Sequence, residues 1–307
     1  MSANASTAPA GAGPVAVDLS GRGQLLRNLK ERGFSLGLLV SFVLALAVLA
    51  ALLVQVLTLG APRLDARLWQ NFPSTLAVAR AGFRSAIFGT AWLMLVVLST
   101  VVPIGVGAAI YLEEYADRTR WWNRAIELNI QNLAAVPSIV YGILGLAFLV
   151  RGPIGLGFVI LAGGLILSLL VLPVVIIASR EAIRAVPSSL RQASYGLGAT
   201  QWQTIRRVVL PSAVPGMATG TILALSRAIG EAAPLLLLGA LTFITFLPSG
   251  VLSEFTAMPI QIYSYLSRPQ EEFRVLAAAG IVMLLALLLA MNAAAILIRN
   301  RYSTRRV

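Results

Sequence analysis

Two ionisable residues four positions apart, Arg227 and Glu231, interrupt one of the long apolar runs of this chain. On an α-helix, that spacing places both side chains on one face. A charge inside a membrane span costs about 2.5–3.5 kcal/mol on insertion scales, so such side chains face a cavity or a partner. A guanidinium is suited to oxyanions, so one interpretation is a polar pathway for an anion. The other is a self-neutralising ion pair that only fixes helix packing. Because the pair has no net charge, a complete anion site would need groups from another subunit.

A polar stretch from Arg180 to Pro211 separates two long apolar runs. Pro187 is a good first-turn residue, so a short helix is expected to begin there. Its apolar face would carry Leu190, Ala193 and Leu197. Gly198 follows this helix and is expected in the left-handed conformation that ends helices.

The same stretch predicts a second helix directly after Gly198. Thr200 and Gln203 have the spacing of a capping box, which satisfies free amides at a helix start. The stripe of this second helix is Trp202, Ile205 and Val209. We therefore expect a helix–glycine–helix elbow, presented outside the bilayer and shaped to fit a partner.

The composition indicates that a membrane protein carries these groups. Of the 307 residues, 58% are hydrophobic and 12% charged, whereas soluble globular chains have about 25% charged residues. A transmembrane helix needs about 20 apolar residues. We expect an all-α polytopic membrane protein with six transmembrane helices, at Phe34–Leu59, Ser85–Leu112, Leu128–Val150, Gly152–Ser179, Val208 to about Ala240, and Val275–Ile298.

The net charge of +12 is explained by membrane topology rather than by nucleic acid, since basic residues beside spans set orientation. With both termini in the cytoplasm, 16 of the 24 Lys and Arg residues lie inside, 7 outside, and Arg227 within a span. The expected organisation is a disordered basic tail over residues 1–32, a permease domain over 33–299 containing the loop 180–212, and a basic tail over 300–307. The external segment 241–274 is expected to be partly re-entrant or to lie at the interface.

Several classes of chemistry lack the residues they need. The chain has no cysteine and no histidine, which removes thiol chemistry, His-based triads and most metal sites. Its one lysine, Lys30, stands between Leu29 and Glu31, so there is no phosphate-binding P-loop. We expect no catalytic residue, no metal and no cofactor in this chain. If transport is ATP-driven, ATP and Mg²⁺ are expected on another chain.

The elbow resembles the signature loop of ABC-importer permeases. Gln192-Ala193-Ser194 is followed by Gly198 and then, after nine residues, by Val208-Val209-Leu210-Pro211. Gln192 stands where that pattern has glutamate, Ser194 where it has a second alanine, and Val208 where it has isoleucine. The resemblance implies that Gln192, Ala193, Gly198, Leu210 and Pro211 form the loop that docks on an ATPase subunit.

Longer segments resemble the PstA-type phosphate permease subunits. They are Gly105–Ala116, Val136–Gly142, Arg227–Leu235 and, less tightly, Met258–Phe273. Ala232 replaces a threonine that is usual after the glutamate. Pro234 favours this subunit over its PstC-type partner, which shares the Arg…Gly-Glu element.

This second resemblance implies the partners and the cargo. A second, PstC-type permease, two copies of a PstB-type ATPase and an extracytoplasmic PstS-type phosphate-binding protein are expected in a bacterial inner membrane. Arg227 and Glu231 would be pathway residues for inorganic phosphate. The alternatives are a self-sufficient secondary transporter with an intramembrane Arg–Glu site and an ABC permease for another oxyanion.

Overall fold

The computed structural model describes residues 21–117, 119–240 and 243–303. The chain divides into two compact units, one ending at Gln55 and the other beginning at Val56. The first unit contains most of helix α1 (Gly21–Gly60), whose side chains between Phe34 and Val54 are mostly apolar and exposed. Residues 1–20 of the predicted N-terminal tail lie outside the described residues, and the tail is helical from Gly21.

The second unit is built from helices joined by short turns. In chain order they are α2 (Arg67–Gln70), α3 (Arg84–Ile110), α4 (Trp121–Ala135), α5 (Ser138–Gly145), α6 (Ile160–Arg184), α7 (Ser188–Gly196), α8 (Gln201–Thr204), α9 (Leu210–Gly230), α10 (Ala233–Leu238), α11 (Met258–Leu266) and α12 (Glu271–Ser303). Five-residue π-helical turns extend α3 and α5 and join α8 to α9, at Tyr111–Tyr115, Leu146–Val150 and Ile205–Val209. The last four residues of the predicted C-terminal tail lie outside the described part.

Within the described ranges, five helices are long and apolar enough to cross a membrane. The predicted span Leu128–Val150 is not straight, because α4 and α5 meet at a bend of 101°. Pro137 explains the break, since proline cannot donate an amide hydrogen and disfavours helical geometry in the residue before it. Val136 accordingly has an extended ψ of 130°. The fourth predicted span also begins later than expected, at Ile160 instead of Gly152.

The bent pair α4–α5 must carry the chain back across the molecule. Helices α3 and α6 run parallel, because their contacts advance along both together: Val96 with Gly164, Val175 with Gly105, and Glu113 with Arg184. Two parallel helices that follow each other in sequence need a returning connection between them. The α4–α5 pair is that connection, so it supplies the sixth crossing that the sequence predicts.

The core of the second unit lies where α6 packs between α3 and α9. Leu93, Val97, Leu167 and Val171 are almost completely buried there. Small residues let α9 approach α6 closely, as is usual between helices in membranes. This packing fixes the position of the C-terminal end of α6, where the chain enters the elbow.

Helix α11, in the external segment, is mostly buried within the second unit. Tyr265 of α11 lies between Phe83 and Phe273, with ring centroids 5.3 and 5.5 Å away. Its hydroxyl donates a hydrogen bond to the carbonyl of Gly82 at 3.0 Å. Burial raises the pKa of Tyr265 to about 12, so the phenol stays protonated and able to donate at physiological pH.

Replacing Tyr265 with Phe should therefore destabilise the protein. The Gly82 carbonyl would lose its donor, and an unsatisfied buried group costs about 1–3 kcal/mol. We expect a lower thermal unfolding midpoint in detergent. Tyr263→Phe is the matched control, because Tyr263 is 54% exposed on the same helix. Equal midpoints for the two variants would contradict a role for the buried hydroxyl.

Candidate functional site

The predicted elbow between Arg180 and Pro211 is present, with its glycine in the expected conformation. Helix α7 begins after Pro187 and ends at Gly196. Gly198 has φ of +81°, a left-handed geometry that residues with a Cβ adopt at a cost. Its amide donates to the carbonyl of Tyr195 at 2.9 Å, which helps to close the end of α7.

The capping box at the start of α8 is also confirmed. The Gln203 amide donates to the Thr200 hydroxyl at 3.3 Å, and the Thr200 amide donates to the Gln203 side chain at 2.9 Å. The second limb of the elbow, the helix that begins with α8, is not a separate short helix, however. Helix α8, the π turn and α9 form one continuous span from Gln201 to Gly230, because no helix breaker separates Thr204 from Leu210. The elbow therefore joins directly to a membrane span.

The outer face of the elbow is exposed and partly apolar. Leu190 is 44% exposed and Leu197 is 90% exposed, and Gln192 and Ala193 are exposed beside them. Exposed leucines close together on one element indicate a surface that a partner covers. Leu210 and Pro211 are different, because they are half-buried in the first turn of α9. The structure thus brings three of the five predicted loop residues to the surface and places the other two inside a helix.

Arg191 lies on the inner side of α7 and binds the end of α6. Its guanidinium donates to the carbonyls of Ile183 and Val186, both at 2.8 Å, and to the Glu114 carboxylate at 3.0 Å. Carbonyls at a helix C-terminus lack partners within the helix and attract cations. Arg191 therefore caps α6 while linking α7 to the turn after α3.

The neighbouring Glu113 is bound by two arginines of α6. Arg184 forms a bidentate pair with it, at 3.0 and 3.1 Å. Arg180 lies 3.6 Å from the same carboxylate and donates to Glu127 of α4 at 2.8 Å. The Glu113 side chain is only 5% exposed and that of Arg180 only 9% exposed. Removing one partner of such a buried pair strongly destabilises a folded protein, because the other charge stays buried without compensation.

Sequence reasoning missed this charge cluster, which consists of Glu113, Glu114, Glu127, Arg180, Arg184 and Arg191. The available signal was the adjacent pair Glu113-Glu114 directly after an apolar run. Arg180 and Arg184 are one helical turn apart and share a face. The pairing itself could not be predicted, because its partners are 53 to 77 positions apart.

Arg227 and Glu231 do meet, with 3.3 Å between Arg227 Nε and Glu231 Oε1. They do not share a helix, however, since α9 ends at Gly230 and Glu231 has an extended ψ of 113°. Pro234 accounts for the break, because it cannot donate to the Gly230 carbonyl and its ring would clash there. Arg227 is 47% exposed and Glu231 is 19% exposed.

The guanidinium belongs to a face of α9 that the described part of the chain leaves exposed. Its exposed members are Leu223, Arg227 and Gly230, at helical spacing. On the adjacent side of α9, Ser226 donates to Asn292 of α12 at 2.6 Å. The arrangement holds a cation on an accessible face beside a carboxylate that limits its net charge.

Two segments noted in the sequence analysis, Val136–Gly142 and Arg227–Leu235, pack against each other next to the Arg227–Glu231 pair. A Cβ added at Gly142 of α5 would lie 2.8 Å from the Pro234 backbone of α10, so only glycine permits this approach. The neighbouring Tyr141 hydroxyl donates across the α4–α5 bend to the Leu133 carbonyl at 2.8 Å. The bent pair therefore supports the short helix that follows Glu231.

Among the described residues, no group of His, Cys, Asp and Glu has an arrangement that could hold a metal ion. The groups that the site does present, a guanidinium beside a carboxylate and exposed leucines on the elbow, are suited to recognition by charge and shape.

Comparison with known proteins adds the family. The profile of the family described as "Binding-protein-dependent transport system inner membrane component" matches residues 101–304. The chain is 36% identical over 205 residues to the probable ABC transporter permease protein YqgI of Bacillus subtilis, covering 66% of this chain and 69% of that protein. It is 33% identical over 294 residues to the phosphate transport system permease protein PstA 1 of Mycobacterium tuberculosis H37Rv, covering 92% of this chain and 91% of that protein.

A solved structure shows the same fold at low identity. It is the crystal structure of a bacterial ABC transporter involved in the import of the acidic polysaccharide alginate. The TM-score is 0.61 at 17% identity, covering 91% of this chain and 99% of that chain.

Proposed function

We propose that this chain serves an ATP-driven importer of inorganic phosphate. The premise is that the chain belongs to the binding-protein-dependent transport system inner membrane component family and is an ABC transporter permease subunit. It would form half of the translocation pathway and receive work from a separate ATPase. The observation that carries the proposal is similarity over almost the whole chain to a phosphate permease. The accessible Arg227 guanidinium supports it, since guanidinium forks match phosphate oxygens.

The elbow supports the part of the proposal that concerns the ATPase. Its exposed leucines and its left-handed glycine corner form a surface at the end of a membrane span, where a soluble subunit could bind. Docking there would depend on shape and apolar contact, because Gln192 offers no negative charge.

The assembly that we propose has four kinds of subunit. A PstC-type permease would cover the exposed face of α9, a PstB-type ATPase dimer would bind the elbow, and a PstS-type protein would deliver phosphate. ATP and Mg²⁺ would then bind on the ATPase, and Arg227 and Glu231 would line the pathway. We place the chain in the bacterial inner membrane, with both termini and the charge cluster in the cytoplasm.

The proposal is tested by uptake in proteoliposomes that contain the whole assembled transporter. We expect ATP-dependent accumulation of labelled phosphate that requires the binding protein. Excess unlabelled sulfate should not reduce this accumulation. Accumulation of sulfate or molybdate instead would assign another oxyanion. Gradient-driven uptake by this chain alone would establish a secondary transporter and overturn the proposal.

A further inference from the structure

Glu114, in the π turn that ends α3, is bound by both limbs of the elbow. On the α7 side, Arg191 donates to its carboxylate at 3.0 Å. On the α8 side, the Gln201 side chain donates to its backbone carbonyl at 2.7 Å. The limbs are therefore attached at two different atoms of a residue that lies more than 75 positions away in sequence.

The two limbs are also fastened to each other. The hydroxyls of Ser194 in α7 and Thr204 in α8 are 2.9 Å apart and hydrogen-bonded. The corner between the limbs contains Gly198, which adopts the left-handed conformation and whose amide donates to the Tyr195 carbonyl at the end of α7. The elbow consequently has the contacts of a rigid body that is clamped to the end of α3.

We infer that Glu114 and Arg191 form the joint through which movement of the elbow is transmitted to α3, with Arg191 as its positioning residue. This inference rests on the proposed function of the elbow as the place where an ATPase acts. Helix α9 follows the elbow by chain continuity, and α6 precedes it. Helix α3 has no such covalent route. Its Ala109 shares an apolar cluster with Val186 and Val209 at the two ends of the elbow, and the bonds at Glu114 are polar links from the end of α3 to α7 and α8 themselves.

The burial of the joint fits a transmitting role. The Glu114 side chain is 9% exposed and that of Arg191 is 21% exposed, so solvent screens their attraction little. Arg191 at the same time holds two carbonyls at the end of α6. Displacement of α7 therefore pulls on α3 and α6 together.

The test uses spin labels in the assembled transporter, and the chain is suited to it because it has no native cysteine. One pair of labels, at Ser188→Cys and Tyr115→Cys, spans the joint from α7 to the end of α3. A second pair, at Tyr115→Cys and Leu289→Cys, reports movement of α3 against α12. All three positions are exposed.

On addition of ATP, we expect the distance between the labels of the first pair (the first separation) to stay constant. The distance between the labels of the second pair (the second separation) should change. In Arg191→Gln the first separation should change and the second should change less. Phosphate transported per ATP hydrolysed should fall about tenfold, while ATP hydrolysis stays within about twofold of the original protein. Glu114→Ala should act through the same bond, so the double variant should lose no more coupling than either single one.

Arg120→Gln is the matched control, because it breaks an exposed ion pair with Asp117 in the segment that follows the π turn, without touching α7. It should behave like the original protein, since exposed pairs contribute little. Arg191→Lys keeps the charge and should restore part of the coupling.

Two results would overturn the inference. One is a constant first separation and unchanged coupling in Arg191→Gln. The other is a proportional loss of hydrolysis, uptake and assembled yield, which a purely structural role predicts. Absence of phosphate uptake by the original protein would reject the proposed function instead, and the label separations, measured without cargo, would still test the joint.

Discussion

Gly198→Val should reduce ATP-driven uptake by at least about tenfold while the protein still inserts in the membrane. Gly198 has φ of +81°, and left-handed geometry costs about 1–2 kcal/mol for a residue with a Cβ and more for a β-branched one. A Cβ at this position would meet nothing within 4 Å, so the penalty falls on the backbone and not on packing. The corner would open, and the two limbs would no longer present one surface.

Two variants separate this conformational effect from simple loss of a glycine. Gly196→Ala is the matched control, because Gly196 is helical, has no positive φ and has open space around its Cβ position. It should retain uptake. Gly198→Asn should be intermediate, since asparagine tolerates left-handed geometry better than other residues with a side chain.

The measurement is phosphate uptake together with co-purification of the ATPase subunit. Gly198→Val should lose at least about tenfold in uptake, as expected from a penalty of about 1.4 kcal/mol or more. Normal uptake and normal ATPase binding in this variant would show that the corner is not a docking element.

The elbow was predictable because its determinants are local. A glycine after a short amphipathic helix and a capping box that spans four residues are signals contained in one stretch of sequence. The merging of α8 into α9 was missed because Pro211 signals a helix break, whereas the helix that begins at Gln201 continues through the π turn Ile205–Val209 and past this proline.

The bends in the spans depend on contacts that a linear pattern does not contain. Pro137 and Pro234 signal possible breaks, but both residues lie inside long apolar runs that also fit straight spans. The two breaks support each other in the structure, because Gly142 after the first packs on Pro234 after the second. Hydropathy could give the number of crossings and could not give this contact.

The charge cluster shows the same limit more clearly. Its residues are visible in the sequence as separate charges beside spans, where orientation of the chain is a sufficient explanation for them. Their pairing follows from the parallel packing of α3 on α6, which brings Glu113 and Arg184 to the same level. Topology had to be known before these charges could be assigned to one cluster.

Arg227→Gln should reduce phosphate uptake by about 10- to 100-fold, the range that corresponds to loss of a charged hydrogen bond worth about 1.5–3 kcal/mol. The single variant also leaves Glu231, which is 19% exposed, without the cation 3.3 Å away. That carboxylate would be costly within a membrane, so the amount of inserted protein should fall as well.

The double variant Arg227→Gln with Glu231→Gln separates the two interpretations of the pair. It removes both charges, so the amount of inserted protein should recover in either case. If Arg227 binds the passing anion, uptake per inserted molecule should remain low in the double variant and improve in Arg227→Lys, which restores a cation without the guanidinium fork. If the pair only fixes packing, the double variant should transport normally, because nothing buried is left unpaired. Uptake normalised to inserted protein thus decides between a pathway residue and a structural ion pair, and the position of Arg227 on an uncovered face of α9 makes the first outcome the expected one.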